Sequence, residues 1–293
     1  MTLATPDLVV VGHVCRDVVA GPPGWRPGGS VFYAASTAAR LGYSVGVVTA
    51  GAGEVESLHE LPNTVVVSLN AKRSTSFENV YEPAGRRQYL RALAPTIPPE
   101  LVPPEWRKTL VALLAPVAGE VPPGMARIFP RALLGVSPQG WLRRLVVGEE
   151  VCYQAWDRAL DVLPHAAAAI FSEEDVAGHS VSWMGFRGAV LVMTCGELGC
   201  ELTHAGKTRH VPGFPSDETD STGAGDVFAA AFMLKLQETR EPIEAARFAN
   251  CVASFSVRAS GRESLPSAGQ VQARLAQAAP LPLPCERLSE SNR

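Results

Sequence analysis

With 293 residues, 46% of them apolar and 19% charged, the chain has the length and make-up of one large α/β domain with room for a small appendage. A net charge of −3 gives no electrostatic case for nucleic acid, and no basic amphipathic run suits an anionic membrane. The apolar run at residues 8–11 has no basic flank and is too short for a signal peptide or a spanning helix, so a cytoplasmic protein is expected. Cys15, Cys152, Cys195, Cys200, Cys251 and Cys285 form no CxxC pair and no zinc-spaced cluster with histidine. They read as reduced thiols, mostly buried.

In chain order, residues 7–14 are a β-branched run that predicts a first strand. Residues 30–42 are Ala-rich, carry apolar residues at helical spacing and stop at Gly42, which predicts a helix with a glycine end. Residues 45–50 predict another strand, and strand, helix, strand in that order suggests a parallel α/β unit. Residues 64–93 read as three strands, at 65–69, 74–81 and 86–90, with many polar handles; they fit an exposed hairpin or a flap over a site. Five prolines make 95–104 a loop, and strands recur at 109–114, 167–172 and 189–194 with helical segments between them. A strand, a turn and a strand follow, then helices from about Gly223 and from Pro242 to Arg258. Residues 281–293 read as a frayed tail.

The segment richest in chemistry runs from Asp220 through Ser221, Thr222, Gly223, Ala224 and Gly225 to Asp226, just before an Ala-rich helix. Glycines at a helix start let backbone N–H groups approach an anion, with the positive helix end behind them. Phosphoryl transfer needs such a cradle. Asp226 is placed to accept a proton from an attacking hydroxyl, and Asp220 to position a magnesium-bound water. From spacing alone, a plain helix cap explains the segment equally well.

That segment closely resembles the C-terminal signature of the ribokinase-like (PfkB) carbohydrate kinases, Asp-Thr-x-Gly-Ala-Gly-Asp-x-Phe, with Phe228 in place and Ser221 as the visible departure. Other stretches agree in order. Gly12 and Asp17 resemble the first strand of these kinases, whose acidic residue binds substrate hydroxyls. Pro27, Gly28, Gly29 and Ser30 resemble the N-terminal signature, although Tyr33 stands where asparagine is common, which points away from ribose. Thr194, Gly196 and Gly199 resemble the nucleotide-site turn, and Asn250 with Gly261 the helix and loop beside the adenine. Ser172, Glu174 and Asp175 fall where the family has a motif tied to magnesium and phosphate.

The resemblance implies a three-layer α/β/α domain over residues 1–280, with a central, mostly parallel sheet and a small β lid from about 16–28 and 64–93. It implies ATP and Mg2+, with Asp226 as base and Gly223, Ala224 and Gly225 as anion hole. Ser172, Thr194, Gly196, Gly199, Thr222, Gly223, Gly225 and Asn250 would hold the nucleotide, and Glu174, Asp175 and Asp220 the metal. Asn79, Arg86, Gln88, Glu120, Gln139 and Arg143 resemble patterns of the myo-inositol kinase branch. With Asp17, Gly28, Gly29, Ser30, Tyr33 and Asp226 they form the expected acceptor site for a small sugar or polyol, and resemblance to that branch suggests myo-inositol. A monomer or a homodimer is consistent with the family.

Other readings stay open: a family kinase acting on ribose, fructose or a nucleoside, or a catalytically silent sensor on the same fold. A P-loop ending at Gly206, Lys207 and Thr208 is excluded because Glu201 stands where its first glycine is needed. An NAD site is excluded because no GxGxxG follows the first strand.

Overall fold

A computed structural model of the chain describes residues 3–19, 24–82, 85–176, 178–179 and 189–278, and only the backbone of 81, 82, 85 and 86. The expected tail at 281–293 lies outside the described residues, as do Cys285 and the side chain of Arg86.

The strands are β1 Leu8–Val11, β2 Cys15–Val18, β3 Trp25–Gly28, β4 Val45–Gly51, β5 Thr64–Asn70, β6 Thr75–Glu82, β7 Gly85–Ala92, β8 Val111–Leu114 and β9 Leu133–Val136. They continue with β10 Arg143–Arg144, β11 Cys152–Tyr153, β12 Ala168–Ser172, β13 Val190–Thr194, β14 Gly199–His204 and β15 Lys207–Pro212. The helices are α1 Ser30–Arg40, α2 Glu56–His59, α3 Ala159–Val162, α4 Glu173–Val176, α5 Ala224–Thr239, α6 Pro242–Ser256 and α7 Ala268–Gln277.

Nine strands form one sheet in the order β15-β14-β13-β12-β9-β8-β1-β4-β5. Seven pair in parallel, from β5 across to β13, and β14–β15 closes one edge as an antiparallel hairpin. Its turn uses Ala205 (φ 50°) and Gly206 (φ 77°), the glycine of the excluded P-loop. The inner strands are apolar on both faces, as a sheet covered twice requires. Leu8, Val10, Val47, Leu113, Ile170 and Val192 pack under α1, α5 and α6; Val9, Val11, Val48, Ala112, Val136 and Phe171 face Trp106, Met125, Phe129 and Leu163 on the other side.

The stretch between 115 and 166, where helical segments are expected, holds 3-10 segments of three to six residues and the four-residue α3, with the strand β9 and the β10–β11 hairpin among them. Prolines at 116, 122, 123, 130 and 138 each remove a donor and block a longer helix.

The lid is a separate four-stranded sheet, β3-β2-β6-β7. The stretch 64–93 therefore divides. β5, expected in the lid, is the edge of the main sheet, where it pairs in parallel with β4 over seven residues. Its alternating half-buried pattern suits an edge as well as a flap. In the lid, β2 pairs in parallel with β6 and antiparallel with β3, so that Asp17 lies opposite Arg26. Arg16 fixes the base of the lid: it pairs with the buried Glu54 of the body and lies over the Trp25 ring at 4.5 Å.

Candidate active site

A cavity of about 1490 Å³ opens between the lid and the carboxyl ends of the parallel strands. That is where open α/β sheets present ligand sites. Ser137, Ser172 and Thr194 bring the ends of β9, β12 and β13 to its wall, and the first residues of α1 and α5 bring two helix N-termini. Aligned peptide dipoles make both ends favourable for negative charge.

The α5 end is shaped by its glycines. Gly223 caps the helix in the left-handed region (φ 80°, ψ −1°), and a Cβ there would lie 2.3 Å from the Tyr33 ring. A Cβ on Gly225 would meet nothing within 4 Å, because that residue faces the open cavity. Asp226 follows in the first turn, half-buried, with its carboxyl on the cavity. Burial raises its pKa from the ordinary 3.8 to about 7; Asp175 and Asp17 add to the rise, while the Ser30 hydroxyl and Arg143 oppose it. A carboxyl poised near neutrality suits proton exchange with a substrate hydroxyl.

Across the cavity, Asp17 of β2 is 7% exposed and rests on Gly28; a Cβ on Gly28 would lie 2.2 Å from Asp17 Oδ2. Gly28 is thus needed for the carboxylate to reach its place. Gln88 from β7 and Gln139 and Arg143 from the 137–143 segment complete this polar wall, with Phe77, Val117, Leu142 and Val151 as its apolar part.

The family profile described as pfkB family carbohydrate kinase matches residues 162–268, the part of the chain that carries the Gly223–Asp226 turn. Residues 162–268 thus carry a PfkB carbohydrate kinase match on a ribokinase-like fold. A ribokinase of Bacillus subtilis (strain 168) is 34% identical over 109 residues, 37% of this chain and 36% of that protein. That match spans about a third of the relative's length. A cytidine kinase of Thermococcus kodakarensis is 25% identical over 255 residues, 81% of this chain and 91% of that protein. Among solved structures, a pyrophosphate-dependent kinase in the ribokinase family, complexed with a pyrophosphate analog and myo-inositol, aligns at TM-score 0.74 with 23% identity, covering 88% of this chain and 98% of that one. At that identity the likeness shows the ribokinase-like fold.

Most residues expected at the site of a ribokinase-like chain lie on the cavity: Asp17, Gly29, Ser30, Tyr33, Gln88, Gln139, Arg143, Ser172, Glu174, Asp175, Thr194, Gly196, Asp220, Thr222, Gly223, Ala224, Gly225 and Asp226. Five described ones do not line it: Gly28, which lies against Asp17, and Glu120, Asn79, Gly199 and Asn250. Glu120 is 2% exposed and its carboxylate accepts hydrogen bonds from the backbone N–H of His13, Val117 and Ala118. It orders the 117–120 loop instead of facing the cavity. Asn79 accepts from Gln88 Nε2 at 3.0 Å across the β6–β7 ladder and so orients Gln88. Gly199 is packed against the backbone of Val211, Pro212 and Gly213. Asn250 is 6% exposed and donates to the carbonyls of Val211 and Pro212, tying α6 to the edge hairpin.

Replacing Asn250 by alanine is expected to cost about 1–3 kcal/mol in urea denaturation, the usual effect of stranding buried carbonyls. Unchanged stability with a weakened nucleotide site would show that Asn250 serves the ligand.

The expected metal residues are largely engaged with the protein. Asp175 accepts from Gln139 Nε2 (3.0 Å) and the Ser172 N–H (2.8 Å). Asp220 accepts from the Thr222 N–H (2.9 Å), the Ser260 hydroxyl (2.7 Å) and Arg26 (2.8 Å). Among the described residues no three His, Cys, Asp or Glu side chains converge on one point that would hold a metal. The exposed carboxylates of Glu173 and Glu174 on the cavity wall fit magnesium held through water and ligand phosphates.

Arg26, Glu150, Tyr153 and Ser260 line the cavity without having been singled out in the sequence, and Arg87, one of the polar handles of 64–93, joins them. Arg87 pairs with Glu150 beside the isolated bridge between Tyr89 and Glu150, which docks the β10–β11 hairpin on the lid. Only the β2–β3 register, which sets Arg26 opposite Asp17, carried a signal that sequence reading had within reach.

Proposed function

We propose that this chain is a phosphotransferase that moves the γ-phosphoryl group of ATP to a hydroxyl of a small sugar or polyol, with a cyclic polyol such as myo-inositol as the preferred acceptor. The observation that carries the reading is Asp226: a carboxyl near neutral pKa, one residue after an open glycine at a helix N-terminus, on a cavity with polar groups opposite. In this reading the acceptor lies between Asp17, Gln88, Gln139 and Arg143, which supply both donors and acceptors for a ring of hydroxyls. Asp226 takes the proton of the attacking hydroxyl as its oxygen bonds to phosphorus. The amides of the Gly223–Gly225 turn hold the charge on the moving group. Thr194, Gly196 and Thr222 line the same cavity and would take the rest of the nucleotide in this reading. Magnesium, held by Glu173 and Glu174 through water, would neutralise phosphate charge. Closure of the β2-β3-β6-β7 sheet excludes water from the attack.

A nucleoside acceptor is the second reading. The cytidine kinase similarity runs along most of the chain, and Phe77 and Tyr153 on the cavity wall are surfaces on which a base can stack. Phosphorus NMR of the products, with ATP or pyrophosphate as donor and myo-inositol, ribose, fructose or cytidine as acceptor, separates the readings. A phosphomonoester of myo-inositol made from ATP supports the first and one of cytidine the second; binding without any product would leave a sensor.

The pH profile follows from Asp226. Only the ionised carboxyl accepts a proton, so acceptor kcat/KM is expected to rise with pH, half-maximal near pH 7 and levelling above about pH 8, and to fall about tenfold from pH 6 to pH 5. A flat profile from pH 5 to 8 would remove Asp226 as base.

A further inference from the structure

The proposed mechanism gives no role to Arg26 on the cavity wall. Arg26 lies on β3, two residues before Gly28 and opposite Asp17. Its guanidinium crosses from the lid to the loop before α5, where Nη1 donates to Asp220 Oδ2 at 2.8 Å. Asp220 is fully engaged there, also accepting from Thr222 and Ser260. Burial alone would raise its pKa, but these hydrogen bonds hold it down at about 2, so it stays an anion at any working pH. The pairing fixes one edge of the guanidinium and leaves the rest of a planar donor fork beside the cradle.

Two observations point to a missing acceptor at that place. Arg26 Nε is buried and has no hydrogen-bond partner. The Tyr33 hydroxyl, on a residue 1% exposed, is buried and unpartnered as well. Its ring packs against Gly223, and burial pushes its pKa up, so it keeps its proton. Both residues line the cavity beside a helix N-terminus, as does Ser30, whose hydroxyl is also without a partner, and stranded donors there fit an oxyanion. The remainder of the wall does not: nine carboxylates face it against three arginines, Arg26, Arg87 and Arg143. Arg87 is paired with Glu150, and Arg143 lies over Phe77 on the acceptor side. Arg26 is the arginine bonded to the loop that leads into the cradle.

We propose that Arg26 is a catalytic residue whose guanidinium, held in place by Asp220 as a positioning residue, contacts the phosphoryl group being transferred, with the Tyr33 hydroxyl as a second donor. This rests on the phosphotransferase reading. The acceptor oxygen bonds to phosphorus as the bond to the leaving phosphate oxygen of the donor breaks, and the acceptor proton goes to Asp226. Arg26 and Tyr33 exchange no proton; they hold charge. Because Arg26 is part of the lid and its strand runs into Gly28 and Gly29, lid placement and charge stabilisation are coupled.

The test compares Arg26→Ala, Arg26→Lys and Tyr33→Phe with the parent, at saturating donor and acceptor, after thermal melts confirm folding. Arg26→Ala is expected to lower kcat by about 10²–10³-fold with acceptor KM within about threefold, and Tyr33→Phe by about tenfold. Millimolar guanidinium is expected to restore at least about tenfold to Arg26→Ala. If Arg26→Ala does not fold, Arg26→Lys carries the test with an expected kcat loss of about tenfold or more. An unchanged kcat with a raised acceptor KM, or no rescue, would reduce Arg26 to a lid contact. Calorimetric titration with inorganic pyrophosphate reads the site without turnover: about tenfold weaker binding to Arg26→Ala supports the proposal, and equal binding, or none to the parent, overturns it. If the parent binds pyrophosphate through Arg26 but phosphorylates none of the acceptors, the phosphotransferase reading fails while the anion site stands.

Discussion

Replacing Asp226 by asparagine is expected to lower kcat by about 10²–10⁴-fold while leaving acceptor KM nearly unchanged. The amide has the shape of the carboxyl but cannot take a proton at neutral pH, so binding survives and proton transfer does not. The same substitution should stabilise the folded protein. Asp226 has a folded pKa near 7 against an ordinary 3.8, so folding favours its protonated form. Stability linked to this group is fully present below about pH 4 and is lost as pH rises toward 7. The asparagine variant does not incur that loss. Its melting temperature is expected to exceed that of the parent by a few degrees, about 2–5 °C, at pH 8, with the gap closing by pH 4. Gain of stability with loss of activity marks a site residue held at an energetic cost. Loss of both would mark a packing residue.

The second large effect is at Gly225. A methyl group there meets no protein atom within 4 Å, and alanine is the better helix residue, so Gly225→Ala is expected to keep or gain stability by about 0.5–1 kcal/mol. The added methyl projects into the space where a phosphoryl oxygen must reach the backbone amides, and kcat is expected to fall by about 10²–10³-fold. Gly223→Ala is its control. At φ 80° and 2.3 Å from the Tyr33 ring, an alanine at 223 strains the backbone and displaces the ring, so stability and activity should fall together. Melts beside initial rates distinguish the two glycines. If Gly225→Ala turns over like the parent, the cradle is not where the anion sits.

The parts of the site written in contiguous residues were legible from the sequence. The Asp220–Asp226 turn and the Gly28–Gly29 pair are local: a helix start and a strand end display their chemistry in the order of the residues. What depended on tertiary packing was not. Glu120 and Asn250 look like ligand groups in a linear reading, yet each is used by backbone groups brought close by distant strands. β5 has the alternating pattern of a lid strand and joins the main sheet, because sheet membership follows from its partner β4 and not from its own residues. Residues 115–166 are expected to hold helical segments between the strands; their prolines limit these to short 3-10 segments and the four-residue α3. Arg26 went unnoticed because its meaning comes from Asp220, 194 positions later.

The central claim is phosphoryl transfer by Asp226 to an acceptor hydroxyl, and the most direct measurement follows the label from γ-³²P-ATP. The parent with myo-inositol is expected to yield a labelled phosphomonoester, and the Asp226→Asn variant to yield none above background under equal ATP binding. Equal labelled product from both proteins, or label released only as inorganic phosphate, would contradict the account.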